Sequence, residues 1–168
     1  MAYHALGLLN ADLLSRFRNS FLVRDPAETL RSLAKHWPDF TEEEAGWHGL
    51  GVAADVVEQI GQPLVVVDAG ALGRNPTGVV AAWCAAMEVP FVPTALTWEP
   101  GLRPEWELWA DWHAATAEAS GFRAPTRLPV PPSDTEPRLR DAYDRALPVY
   151  RRLRSHALAA TPGPETIG

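Results

Sequence analysis

Cysteine is nearly absent: Cys84 is the one thiol in 168 residues, so no internal disulfide can form. A reducing cytoplasm is the compartment this predicts, with Cys84 itself buried and inert. Long hydrophobic runs are missing too. None approaches the roughly 20 residues of a membrane span, and the N-terminus carries no signal-peptide pattern. Positive charge is in deficit, with 15 Lys and Arg against 21 Asp and Glu and a net charge of −6. That balance argues against broad contact with nucleic acid or an anionic membrane surface, while leaving room for a local basic pocket. His36, His48 and His113 share no metal-ligand spacing with Cys84 or with the carboxylates, so no metal is expected. No internal repeat is present. The length suits one domain with a real core and is short for two.

Proline and glycine are plentiful, at 16 and 12 residues, and they gather in the connections between periodic segments. Asn10 reads as the N-cap of a short helix over 11–17. Residues 19–23 read as a buried strand, after which Pro26 opens a helix to about His36 at the position proline favours. Glu42, Glu43 and Glu44 fall in the first turn of a predicted helix that Gly61 stops. Residues 63–67 give a second apolar strand, of the kind buried on both faces. Asp68, at its carboxyl end, is expected to accept hydrogen bonds from loop amides. Asn75 and Pro76 open another helix, and a proline-broken connection leads to a predicted helix from Pro104 to Ser120.

Residues 123–134 read as a Pro-rich linker, 135–158 as a last amphipathic helix, and 159–168 as a disordered tail. Residues 1–122 are left as the main domain. The order predicts an α/β fold: a partial parallel sheet of two strands surrounded by helices. Two parallel strands make a poor free-standing sheet, and natural proteins rarely leave so apolar an edge open. A partner chain, or self-association through that edge, is therefore expected.

Candidate chemistry starts at FLVRDPAETLRS, residues 21–32. Arg24 arrives where a strand ends and a helix begins, and α/β proteins gather anionic groups there. Ser32 follows eight residues later. A guanidinium fork fits phosphate or sulfate oxygens, so the pair predicts an anion site. The competing reading is an Arg24–Asp25 ion pair that merely caps the helix. Arg31 reads as a solvated charge. Trp106, Trp109 and His113 share one face of their predicted helix. They form either a core-facing stripe or the wall of a pocket for a hydrophobic, ring-bearing small molecule.

The same stretch resembles the 3′-phosphate-binding segment of sulfotransferases that use 3′-phosphoadenosine 5′-phosphosulfate. There a strand ends in an arginine, and a serine eight residues on sits on the next helix. Arg24 and Ser32 hold those positions. The likeness continues through VVVDAGALGRNPTGVVAAWCAAMEVPF and the Trp-rich TWEPGLRPEWELWADWHAATAEASGF, and MAYH resembles an internal piece of a bacterial subgroup. It covers about residues 1–125. The resemblance implies a P-loop-type parallel sheet, the nucleotide as donor, Arg24 and Ser32 on its 3′-phosphate, and His4 as general base on an acceptor hydroxyl.

One part of the pattern has no counterpart in this chain. The family's strand, Gly-rich loop and helix, which hold the 5′-phosphosulfate, find no match. The resemblance thus implies a truncated sulfotransferase-like chain, competent in sulfonate transfer only when a partner or an upstream segment completes it. Two other readings remain at this point. The chain could hold a sulfate or phosphate ester for elimination or ring closure in specialised bacterial metabolism, or serve as a non-catalytic partner subunit.

Overall fold

The computed structural model describes residues 7–125, 129–133 and 135–161. Its centre is a parallel pair of four-residue strands, β1 (Ser20–Val23) and β2 (Val65–Asp68), with Ser20 opposite Val65 and Val23 opposite Asp68. A two-helix crossover joins them: α2 (Pro26–His36) and α3 (Trp47–Gln59). Before β1 lies α1 (Ala11–Leu14), and Asn10 caps it by accepting from the Leu13 amide at 3.0 Å. After β2 come α4 (Ala69–Arg74), α5 (Pro76–Met87), α6 (Ala110–Ala117) and the long α7 (Pro137–Ser155). This is the α/β arrangement the apolar runs predict.

The two faces of the sheet are covered unequally. Phe21, Val23 and Val66 point to one face and pack with Trp47, Ala54 and Val57 of α3 and with Ala146, Tyr150 and Leu153 of α7. Leu153 and Val66 are fully enclosed, and burying a side chain of that size contributes about 1.5–3 kcal/mol. A second cluster (Leu30, Leu33, Phe40 and Ala142) joins α2 to α7. On the opposite face, α5 covers β2 only. β1 therefore alternates between exposed and buried residues, and Leu22 is 61% exposed. The reading of residues 19–23 as a buried strand is corrected: Phe21 and Val23 are buried, whereas Ser20 and Leu22 on the other face are exposed. β2 is buried along its whole length.

Other boundaries differ from the sequence reading for local reasons. Thr41 and Glu44 bond reciprocally, amide to side chain, at 2.7 and 3.2 Å. Such a capping-box pair satisfies two orphan amides, but here it closes a separate turn. The helix proper begins at Trp47 after Gly46, whose φ of 80° breaks the winding. The predicted helix over 104–120 is two pieces, a 3₁₀ turn (Pro104–Trp109) followed by α6. Beyond α7 the chain adds an isolated parallel bridge from Ala157 to Val66, with the Leu158 amide donating to the Val66 carbonyl at 2.8 Å. Thr161 then reaches the Gly78 carbonyl at 3.2 Å, so the start of the expected tail is held against α5. His4, linker residues 126–128 and 134, and tail residues 162–168 lie outside the described residues.

Candidate functional site

Both strands end at one cleft of about 1300 Å³. Its near wall is the end of β1 and the start of α2: Leu22, Val23, Arg24, Glu28 and Thr29. The floor comes from α3 and from Ala69, Gly70, Leu72 and Gly73 of α4. The far wall is an arm, residues 97–121, whose ends meet in an antiparallel bridge between Thr97 and Gly121. The Trp98 amide donates to the Ser120 carbonyl at 3.1 Å, and that of Gly101 to Ala117 at 2.8 Å, closing the neck.

Arg24 emerges from β1 into this cleft with its side chain 52% exposed, and its Nε donates to Glu28 Oε2 at 3.0 Å. The local ion pair is with Glu28 and not with Asp25. Asp25 instead caps α2: its Oδ1 accepts from the Ala27 amide at 2.8 Å, and its carbonyl accepts from Glu28 and Thr29 at 3.0 Å each. Pro26 has no amide hydrogen. Every donor in the first turn of α2 is therefore spoken for, so an anion here must be held by side chains rather than by the helix end.

The other expected residues are spread out. Ser32 is exposed and does not line the cleft. It lies four residues beyond Glu28 on the same side of α2, about 6 Å further along the axis. Trp106 and His113 stack on each other with ring centroids 4.7 Å apart, outside the cleft lining, and Trp109 is 55% exposed. Trp106 and His113 thus keep to one face, as the helical spacing predicts, but that face does not line the cleft. The arm turns a different set toward the cleft: Trp98, Ala115, Thr116, Ala119 and Phe122.

Arg31 is no solvated charge. It donates to the carbonyls of Val130 and Pro131 and pairs with Glu136 at 3.1 Å, fastening α2 to the proline-rich segment and the start of α7. Asp68, the buried charged side chain of the described core, is 8% exposed and caps α4 by accepting from the Ala71 amide at 2.7 Å. Its second oxygen lies 3.9 Å from Arg154 Nε. The buried Tyr150 phenol lies beside it, and burial together with the Asp68 charge pushes the phenol up to about 12. This cluster locks α7 to the end of β2.

Two residues of the site escape sequence reasoning. Arg123 lines the cleft and braces itself on the Glu118 carbonyl through Nη2 at 2.9 Å. It reaches that position because its backbone lies on Gly73, where a Cβ would come within 2.4 Å of the Arg123 carbonyl oxygen. Gly73 is the signal that could have found it: a glycine inside a helix marks a close approach of another chain segment. Trp98 is the second. Its ring meets Phe122 edge-on at 5.5 Å, and its indole N–H is enclosed yet has no hydrogen-bond partner. The charged groups of the cleft lining are two guanidiniums and one carboxylate, a locally positive site on an acidic chain. Among the described residues no cluster of side chains is suited to a metal ion.

A strand pair ending on an arginine in a cleft, within an α/β frame, is the setting in which phosphate and sulfate groups are held. Residues 1–157 match the family model described as "Sulfotransferase domain". The chain belongs to that family. Among curated proteins it is 35% identical over 155 residues to branched-chain-amino-acid aminotransferase-like protein 1 of Arabidopsis thaliana. It is 33% identical over 150 residues to protein 2 of the same name from the same plant. Each match takes in 88% of this chain and 26% of the relative, so the chain spans about a quarter of the length of these proteins. No solved structure matches.

Proposed function

We propose that this chain supplies the nucleotide-gripping half of a sulfonate-transfer site, with Arg24 on a phosphate of 3′-phosphoadenosine 5′-phosphosulfate. The observation that carries the reading is the position of Arg24: it stands at the carboxyl end of β1, inside the cleft, in a chain of the sulfotransferase-domain family. Its Nε is committed to Glu28, which fixes the plane of the guanidinium. The terminal nitrogens take no protein partner among the described residues and remain for an oxyanion. Arg123 adds a second positive charge to the same space.

Transfer itself requires cations and amide donors around the charge that develops on the sulfonate oxygens. Among the described residues, the cleft lining contains no lysine and no histidine. In this reading those groups come from a partner chain or from a further segment of polypeptide. The outer face of β1, open at Leu22 and continuous with a depression lined by Val67, Leu72, Val79, Val80 and Trp83, is where it would join. The word "aminotransferase" in the relatives' names describes proteins about four times as long. Aminotransfer chemistry runs through a lysine Schiff base, and the one lysine here, Lys35, is exposed on α2 away from the cleft.

Calorimetric titration with adenosine 3′,5′-bisphosphate tests the reading. A charge-assisted hydrogen bond contributes about 1.5–3 kcal/mol, so Arg24→Ala should weaken binding by about 10- to 150-fold. Equal affinity in parent and variant would reduce the Arg24 stretch to a capped helix start.

A further inference from the structure

The cleft has two chemically different ends. At the β1 wall stand Arg24 and Glu28. At the arm wall the side chains are Trp98, Ala115 and Ala119, with Thr116 as the one hydroxyl, and Phe122 and the Arg123 guanidinium follow just past the neck. A sugar ring carries a donor and an acceptor on nearly every carbon, and burying them unpaired is costly. The arm wall offers such a ligand one side-chain hydroxyl, that of Thr116. An apolar body loses nothing by facing alanines and aromatic rings, and gains from the water it sheds. The Trp98 indole N–H is enclosed, so its ring meets the cleft as apolar surface. The single Thr116 hydroxyl suits a ligand with one oxygen at the end of an apolar skeleton.

We infer that the arm wall selects an apolar, ring- or alkyl-bodied alcohol or its sulfate ester as the second ligand of the cleft, in preference to a polyhydroxylated sugar. The inference rests on the anion-site reading for the charged end of such a ligand, and adds the class of molecule to which that charge is attached. Ala115 and Ala119 set the room available. Trp98 and Phe122, fixed edge to face, supply a rigid flank.

The full chain titrated with 1-naphthyl sulfate, glucose 6-sulfate and inorganic sulfate separates the two ends. 1-Naphthyl sulfate should bind about tenfold or more tightly than either of the others, the gain expected from covering part of an aromatic ring. Ala115→Phe fills the arm wall from an exposed helix position and should abolish that preference without changing the affinity for inorganic sulfate. Thr116→Phe, also at an exposed position, serves as a second obstruction should the first fail to fold by circular dichroism. Arg24→Ala should weaken all three anions.

Equal affinity for naphthyl and glucose esters would overturn the inference, as would a naphthyl affinity untouched by both obstructing variants, or no binding of any of the three. Should Arg24→Ala leave every anion unchanged while uncharged 1-naphthol still binds and is displaced by Ala115→Phe, the arm wall stands and the anion-site reading falls.

Discussion

Single residues decide which elements meet, and Arg31 illustrates it. From sequence it is one more charge on a helix surface, because its partners, Val130, Pro131 and Glu136, lie about a hundred positions away. Arg31→Ala should leave the anion affinity of the cleft nearly unchanged and lower stability instead. The loss of its backbone carbonyl contacts corresponds to about 1 kcal/mol once screening of a side chain more than a third exposed is allowed for. A domain of this size would then melt roughly 2–4 °C lower. Acid should narrow that gap. The Ser133 amide first, and then Arg31, hold the Glu136 carboxyl below its ordinary value of 4.5. A carboxyl depressed on folding contributes stability above its unfolded pKa and loses it as pH falls through the folded value. The melting difference between parent and Arg31→Ala should therefore be widest above pH 4.5 and shrink below it; a gap that stays constant would assign the whole effect to the carbonyls.

At the scale of elements, the sequence was most legible where one short signal suffices. Asn10, Asp25 with Pro26, and Asn75 with Pro76 all begin helices where they were read to begin them, because a side-chain cap and a proline at the first turn act within four residues. The break between Trp109 and Ala110 was not legible. Neither piece carries a side-chain cap that would mark the change of winding in the sequence. The place of Arg24 between a strand and a helix was legible because the three are contiguous in sequence. Arg123 was missed because only the fold brings residues 121–125 onto α4. That contact gives a sharp expectation: Gly73→Ala puts a methyl group into the Arg123 carbonyl, a backbone atom with little freedom to yield. Overpacking of this kind costs about 1–3 kcal/mol. Because Arg123 moves with its backbone, the affinity for adenosine 3′,5′-bisphosphate should fall as well. Gly7→Ala, at a position with open space around it, is the control and should change neither. Thermal melts and calorimetry on the three proteins check both halves.

Across the whole molecule, the sheet is closed on one side and open on the other. Ala157 bridges to β2, and α5 packs on that strand, whereas among the described residues no further strand pairs with β1 and Leu22 on its outer face is 61% exposed. A parallel pair of this kind is a template for further strands. Light scattering on the purified chain should find a dimer or a complex with a partner, and Leu22→Lys should shift the distribution toward monomer while leaving the inner core intact. A parent that stays monomeric at high concentration would remove the argument for a partner at this edge. None of the helices described is long and apolar enough to cross a membrane. The two-strand sheet itself was readable from its apolar runs. What the runs could not convey is that β2 is buried throughout while β1 alternates between exposed and buried residues.

The bridge between Thr97 and Gly121 has a consequence for how this protein can diversify. Because the two ends of the arm are pinned together, its interior can lengthen, shorten or be exchanged without altering the distance the rest of the chain must span. Loop entropy opposes such changes only weakly, by about 0.6 kcal/mol for each doubling of length. That wall of the cleft can thus change on a timescale of its own, while Arg24 and its strand are held in place by the core. In engineering terms the neck is a graft junction: a foreign segment joined at Thr97 and Gly121 would give the cleft a new wall while leaving Arg24 where it stands.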